Sequence, residues 1–209
     1  VLTNVIVNGN ISSGATLSAA NITASNATFS GNVSFTGNVS LPAPTGEFAS
    51  NIVPVANLTY NLGSTTAWWN NIYGTSIHAQ YADLAERFES DVAYAPGTVV
   101  ELGGAAEITA AVEELSEEVF GVISTKAAFV MNSRAGYDDT HPPVAVQGRV
   151  PVKVTGKIRK GDRLVSAGNG IARAGTRQEI TTWNVIGRAL ENKTDSGEGI
   201  IEAVVKLNS

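Results

Sequence analysis

Four groups of side chains in this sequence have types and spacing that could do chemistry. Trp68, Trp69 and Tyr73 present aromatic faces that can stack on sugar rings. The same residues can plug an interface between subunits, the commoner use of clustered aromatics. Glu113, Glu114, Glu117 and Glu118 could bind a cation or act as acid and base. They have no His, Asp or glycine-loop companions, so the stretch reads as a solvated helical or turn face. Tyr137, Asp138, Asp139 and His141 lie in a segment from Asn132 to Pro143. Its carboxylates and imidazole suit a transition metal, but Asp and His before a double proline are ordinary loop residues, and no metal site is expected. Lys153, Lys157, Arg159, Lys160 and Arg163 form a basic patch that could touch an anionic surface polysaccharide or simply be an exposed sheet face.

Several reaction classes find no residues to carry them. The only histidines, His78 and His141, have no Ser and Asp partners in a triad-like arrangement. No P-loop or dinucleotide-type glycine loop occurs. Polysaccharide hydrolysis needs two carboxylates flanking a cleft, and the clustered acids supply no such pair. The chain is therefore not expected to be a metabolic enzyme or to hold a cofactor.

The elements that must position these groups fall into two chemically different halves. From Val1 to Gln80 the only charged side chain, His78 aside, is Glu47. Every Lys and Arg comes later, beginning with Arg87. The first part repeats Asn10-Ile11-Ser12, Asn21-Ile22-Thr23, Asn32-Val33-Ser34 and Asn38-Val39-Ser40. Val5 and Val7, Val33 and Phe35, and Val39 and Leu41 alternate with polar residues, placing them on one face of a strand. One copy has too few apolar side chains to offset the entropy of ordering it. Three copies about a common axis would share a core, as stacked repeats do. The expectation is an elongated trimeric β shaft, of β-helix type, over residues 1–46. The Asn-x-Ser/Thr triplets also match a glycosylation acceptor pattern, which the repeat itself explains.

Leu41-Pro42-Ala43-Pro44 is a stiff connector. Residues 47–80 form an aromatic-rich collar, with a turn at Asn61-Leu62-Gly63-Ser64. Residues 81–209 read as a compact antiparallel β domain. Tyr81 to Phe88 could be a short helix or an extended lead-in strand. Strands are then expected at Thr98–Leu102, Glu107–Thr109, Val119–Ser124, Gly148–Thr155, Asp162–Ala167, Gly170–Ala174, Trp183–Glu191 and Gly199–Lys206. Asn169-Gly170 is a strong hairpin-turn signal. The fold class is thus mainly β, an intertwined homotrimer of shaft and tip.

The bulk properties narrow the partners. A formal net charge of -5 argues against nucleic acid, which needs a basic surface. No apolar run approaches the roughly 20 residues that cross a bilayer, so membrane insertion is not expected. Cysteine is absent, so durability must come from something other than disulfides, and oligomerisation is the usual source. No signal-peptide pattern opens the chain, and Val1 in place of Met points to a segment of a longer protein.

The run Asn61-Leu62-Gly63-Ser64, Trp69-Asn70-Asn71-Ile72-Tyr73 and Tyr81-Ala82-Asp83-Leu84-Ala85-Glu86 resembles the junction of many phage tail-fibre proteins. From Tyr81 onward the chain is similar to the C-terminal domain of phage neck appendages, the peptidase G2 family of intramolecular chaperones. The matching residues are that lead-in, Phe120-Gly121-Val122-Ile123-Ser124, Met131-Asn132-Ser133, Gly148-Arg149-Val150-Pro151-Val152 and Lys160-Gly161-Asp162. They cover about two-thirds of the chain. The resemblance implies a structural virion protein in a tail fibre, assembled in the host cytoplasm. It would be a homotrimer that caps its shaft and meets other tail or baseplate proteins, and its tip would either contact the host surface, a glycan being one candidate, or only cap the fibre. It also implies an alternative, a chaperone domain that cuts itself from the shaft after assembly. That chemistry requires a Ser hydroxyl beside the scissile peptide and a carboxylate to move its proton; Ser76 and Asp83 bracket the junction and are the candidates.

Overall fold

The computed structural model describes residues 51–206; the expected shaft of residues 1–46 lies outside them. The chain divides into two units, Val1–Asn70 and Asn71–Ser209. Within the first, residues 51–70 form bends and turns. Gly63 adopts φ 88°, and the amides of Thr66 and Ala67 donate to Ser64 Oγ at 3.3 and 3.0 Å. Trp68 Nε1 donates to the Thr65 carbonyl at 3.0 Å.

The second unit is all β in its described residues, with no helix among them. Its strands are β1 (Asp83–Arg87), β2 (Val99–Leu102), β3 (Ile108–Ala110), β4 (Val119–Ile123), β5 (Phe129–Met131), β6 (Pro143–Thr155), β7 (Arg163–Ser166), β8 (Ala172–Ala174), β9 (Gly187–Ala189) and β10 (Glu198–Lys206). The lead-in segment of open character is β1, a strand.

The organising element is β6, which takes different partners along its length. Its second part pairs antiparallel with β10, from Gln147↔Lys206 to Thr155↔Glu198. From there the pairings β10–β9, β9–β7, β7–β8 and β8–β6 return to β6. These five strands therefore close a ring, and closure removes their free edges. The inward residues alternate as the pleat requires. Val150, Val152 and Val154 on β6 and Ile201, Ala203 and Val205 on β10 are buried in one core cluster with Leu164, Ala172, Ile186 and Ala189. Fully burying a side chain of valine or leucine size stabilises by about 1.5–3 kcal/mol, so this cluster anchors the unit.

The first part of β6 pairs with β1 on one side and β4 on the other. β4 continues through β2 to β3. Here a second cluster of Val100, Ile108, Ile123 and Val144 packs with Phe88, Tyr94 and Phe120. The Phe88 and Phe120 rings meet edge to face, with centroids 4.9 Å apart.

Several sequence expectations change. The sheet is mixed, because β1–β5 and β6–β8 are parallel. β6 starts at Pro143, five residues before the expected strand; as the first strand residue, a proline has no ladder donor to lose. Only Gly187–Ala189 of the expected Trp183–Glu191 strand is extended. The preceding loop is held instead by Asn184, whose Nδ2 donates to the Glu179 carbonyl at 2.8 Å while its Oδ1 accepts from the Thr181 amide at 2.9 Å. The Asn169-Gly170 turn forms as expected: both residues have positive φ, 53° and 69°, and the Ile171 amide donates to the Gly168 carbonyl at 3.1 Å.

Candidate functional site

Asp83 opens β1 and is buried, at 4% exposure. A buried carboxylate needs partners, because losing its hydration is costly. Ser124 supplies one. It follows β4 directly, is also buried, and its backbone amide donates to the Pro143 carbonyl at 2.8 Å. Ser124 Oγ then donates to Asp83 Oδ2 at 2.5 Å, the short range of hydroxyl–carboxylate bonds. The backbone on either side is pinned as well, since the Ala128 amide donates to the Asp83 carbonyl at 2.9 Å.

This pair opens on a pocket of about 290 Å³ whose wall includes Tyr81, Ala82, Lys126 and Arg149. Lys126 Nζ stands 6.0 Å from the centre of the Tyr81 ring. A serine hydroxyl on a carboxylate, beside an exposed chain segment and two cations, is the minimum set for a general-base-assisted attack on a neighbouring carbonyl. It is equally a buried hydrogen bond that locks β1 to β4 across β6.

Ser76, the sequence candidate for the hydroxyl, is exposed. Its Oγ lies 3.4 Å from His78 Nε2. The described residues thus pair Asp83 with Ser124, 41 positions along the chain, rather than with Ser76. Nothing local marks Ser124 beyond its place as the polar residue that ends a buried apolar run. The pairing arises only when β4 and β1 flank the same stretch of β6.

The other sequence candidates settle as follows. Trp68, Trp69 and Tyr73 are exposed, at 60%, 61% and 91%. Asp138 forms an ion pair with Arg87 at 2.7 Å, and Arg87 also donates to the His141 carbonyl at 2.6 Å. These bonds tie the Asn132–Pro143 loop to the end of β1. In the acidic stretch, Glu114 meets Arg173 at 2.7 Å and Glu117 accepts from Thr181 Oγ1 at 3.0 Å. Arg173 also grips Glu179 and, by hydrogen bonding, holds that carboxyl down to about 2. The basic patch divides. Lys153 Nζ donates to Thr98 Oγ1 at 2.8 Å, while Arg163 turns outward beside Arg177 and Arg188, neither of which stood out in the sequence.

One further surface is conspicuous. Phe129, Val130 and Met131, the whole of β5, are exposed, and among the described residues β5 pairs only with β1. Its outer edge presents unpaired backbone groups flanked by apolar side chains, the kind of edge that recruits another strand.

No family model matches the chain, that of the resembled chaperone family included, and no curated protein matches it. Among solved structures the chain is similar to the crystal structure of the C-terminal fragment of bacteriophage phi29 gene product 12. The two are 20% identical, with a TM-score of 0.44, over 59% of this chain and 100% of that one.

Proposed function

We propose that this chain is the C-terminal part of a homotrimeric phage tail fibre, a structural virion protein whose β domain registers and caps the shaft and contacts the host surface. The observation that carries this reading is the apolar surface of the single chain. Eleven large apolar side chains between Ile52 and Ile77 are exposed, and no Asp, Glu, Lys or Arg interrupts them. Exposed apolar surface of this extent belongs in an interface. Further copies of the same chain suit it, because an uncharged stretch sets no like charges against each other around an axis. The free apolar edge of β5 adds a second surface to be covered. Other tail or baseplate proteins would then join the assembled fibre. Light scattering on the full chain is expected to give about three times the 21.7 kDa chain mass. A monomer at micromolar concentration would overturn the proposal.

The Asp83–Ser124 pair supports a second reading, self-cleavage at the junction. Asp83 would take the proton from Ser124 Oγ as that oxygen attacks the carbonyl of Gln80 or Tyr81. The proton would pass to the departing amide nitrogen, leaving an ester for water to hydrolyse. On a denaturing gel this reading expects two products, lost in Ser124→Ala and retained in Ser76→Ala. A full-length band that persists through long incubation of the assembled protein removes it. Loss of cutting in Ser76→Ala alone would return the role to the residue that the family resemblance indicates.

A further inference from the structure

The second unit carries a face on which exposed arginines are set close together. Arg163 on β7 and Arg188 on β9 are direct cross-strand partners in an antiparallel pair. Directly opposed residues project from the same side of the sheet, and like charges so placed repel. Both are exposed, whereas the next pair inward, Leu164 and Gly187, is buried. Arg177 joins them from the loop after β8 and lines the same groove as Arg163, a depression of about 570 Å³ floored by Gly161 and Gly175 and edged by Ile180. That volume is within the range of small-ligand sites, about 300–1,000 Å³.

Among the described residues, neutralisation at this groove is partial. Among the described residues the ion pairs involve Arg87, Arg173 and Lys193, so Arg163, Arg177 and Arg188 have no acidic partner. Arg188 donates only to the Gly161 carbonyl, at 3.2 and 3.0 Å, which fixes its guanidinium in place. Asp162 also lines the groove and sets one negative charge against its two arginines, while its Oδ2 accepts from the Arg159 amide at 2.8 Å. The contrast is Arg173, a few residues away in sequence and held by two glutamates. In a chain of net charge -5, a groove lined by Arg163 and Arg177 against Asp162, with Arg188 held at the carbonyl of its Gly161, keeps a local excess of positive charge.

We infer that this groove binds an anionic group, carboxylate or phosphate, carried on a surface polysaccharide. The planar guanidinium fork can pair two N–H groups with two oxygens of either anion, the Ile180 side chain offers an apolar patch for a sugar face, and the glycine floor leaves room for a ring. This deepens the fibre reading by naming the chemistry of the surface contacted, and rests on that reading for its biological setting.

The test uses the assembled full-length protein with three immobilised polymers: polygalacturonate for the carboxylate, a poly(glycerol phosphate) for the phosphate and neutral dextran. Oligomeric mass is measured on every sample. The expected result is binding to at least one anionic polymer and not to dextran, weakened about tenfold or more in the Arg163→Gln/Arg177→Gln variant at unchanged oligomeric mass. Added salt should weaken the wild type more than the variant, as screening requires. An Arg134→Gln control, at an exposed arginine that does not line the groove, should bind as the wild type does. Equal binding by the double variant, equal retention on dextran, or failure to bind either anionic polymer overturns the inference while leaving the oligomer reading intact. Tighter binding to duplex DNA than to both polymers would overturn it in favour of a nucleic-acid surface.

Discussion

Gly148→Ala is expected to cost this protein about 2–6 kcal/mol of stability, with the loss centred where β1 joins β6. Gly148 has φ 112°, a conformation close to glycine-only that costs other residues about 1–3 kcal/mol. An added Cβ would also sit 2.2 Å from the Ala82 carbonyl oxygen and 2.8 Å from Asp83 Cα. Both obstacles are backbone, so no side chain can swing aside, and overpacking adds about 1–3 kcal/mol. The strain falls on the residue paired with Asp83, so the Asp83–Ser124 bond should loosen with it. Gly156→Ala is the control: its φ is also positive, 78°, but nothing among the described residues lies within 4 Å of the added Cβ. That change should cost only about 1–2 kcal/mol. Denaturant unfolding of the two variants checks the difference, and equal losses would mean that β1 does not approach β6 as described.

Lys193→Met should be the next most damaging single change, at about 2–3 kcal/mol. The Lys193 ammonium is almost wholly buried and donates to the carbonyls of Gly156, Asp195 and Gly197 at 3.3, 3.0 and 2.5 Å. It also meets Asp195 Oδ1 at 2.7 Å, which holds that carboxyl below its ordinary range. Gly156 follows β6 and Gly197 precedes β10, so one side chain ties together the turns at the closing end of the longest strand pair. Methionine keeps the apolar stem that lies over Gly199 but leaves the carbonyls without their donor. Asp195 is largely exposed and regains water, which keeps the cost below that of stranding a fully buried charge. Thermal unfolding of the full chain reads the effect, and a midpoint equal to wild type would show that the ammonium contributes nothing net.

The β character of the second unit was legible because its strands alternate. Val150, Val152 and Val154 point inward on β6 just as a period of two requires, and Asn169-Gly170 makes its turn because glycine, and to a lesser degree asparagine, tolerates positive φ. The strand ends were less legible. β6 runs back to Pro143 because a proline at the first position of a strand breaks no ladder bond. The segment from Trp183 to Val185 is apolar in part, yet the Asn184 bonds to Glu179 and Thr181 hold it as a loop. Parallel pairing of β1 with β5 and β6 with β8 has no local signature, since it joins segments far apart in the chain.

Some features of this protein are written along its chain: a stretch up to Gln80 that is uncharged but for Glu47 and His78, a charged β part after it, and apolar side chains alternating with polar ones in both. Those are properties of composition and periodicity, which act locally and can be read along the chain. Which groups meet is settled by folding alone. It buried Asp83 against Ser124 instead of placing it beside Ser76, and it set Arg163 opposite Arg188 while drawing Arg177 to the same groove. Both arrangements follow from strand register, and register is settled by which buried faces fit together across the whole core.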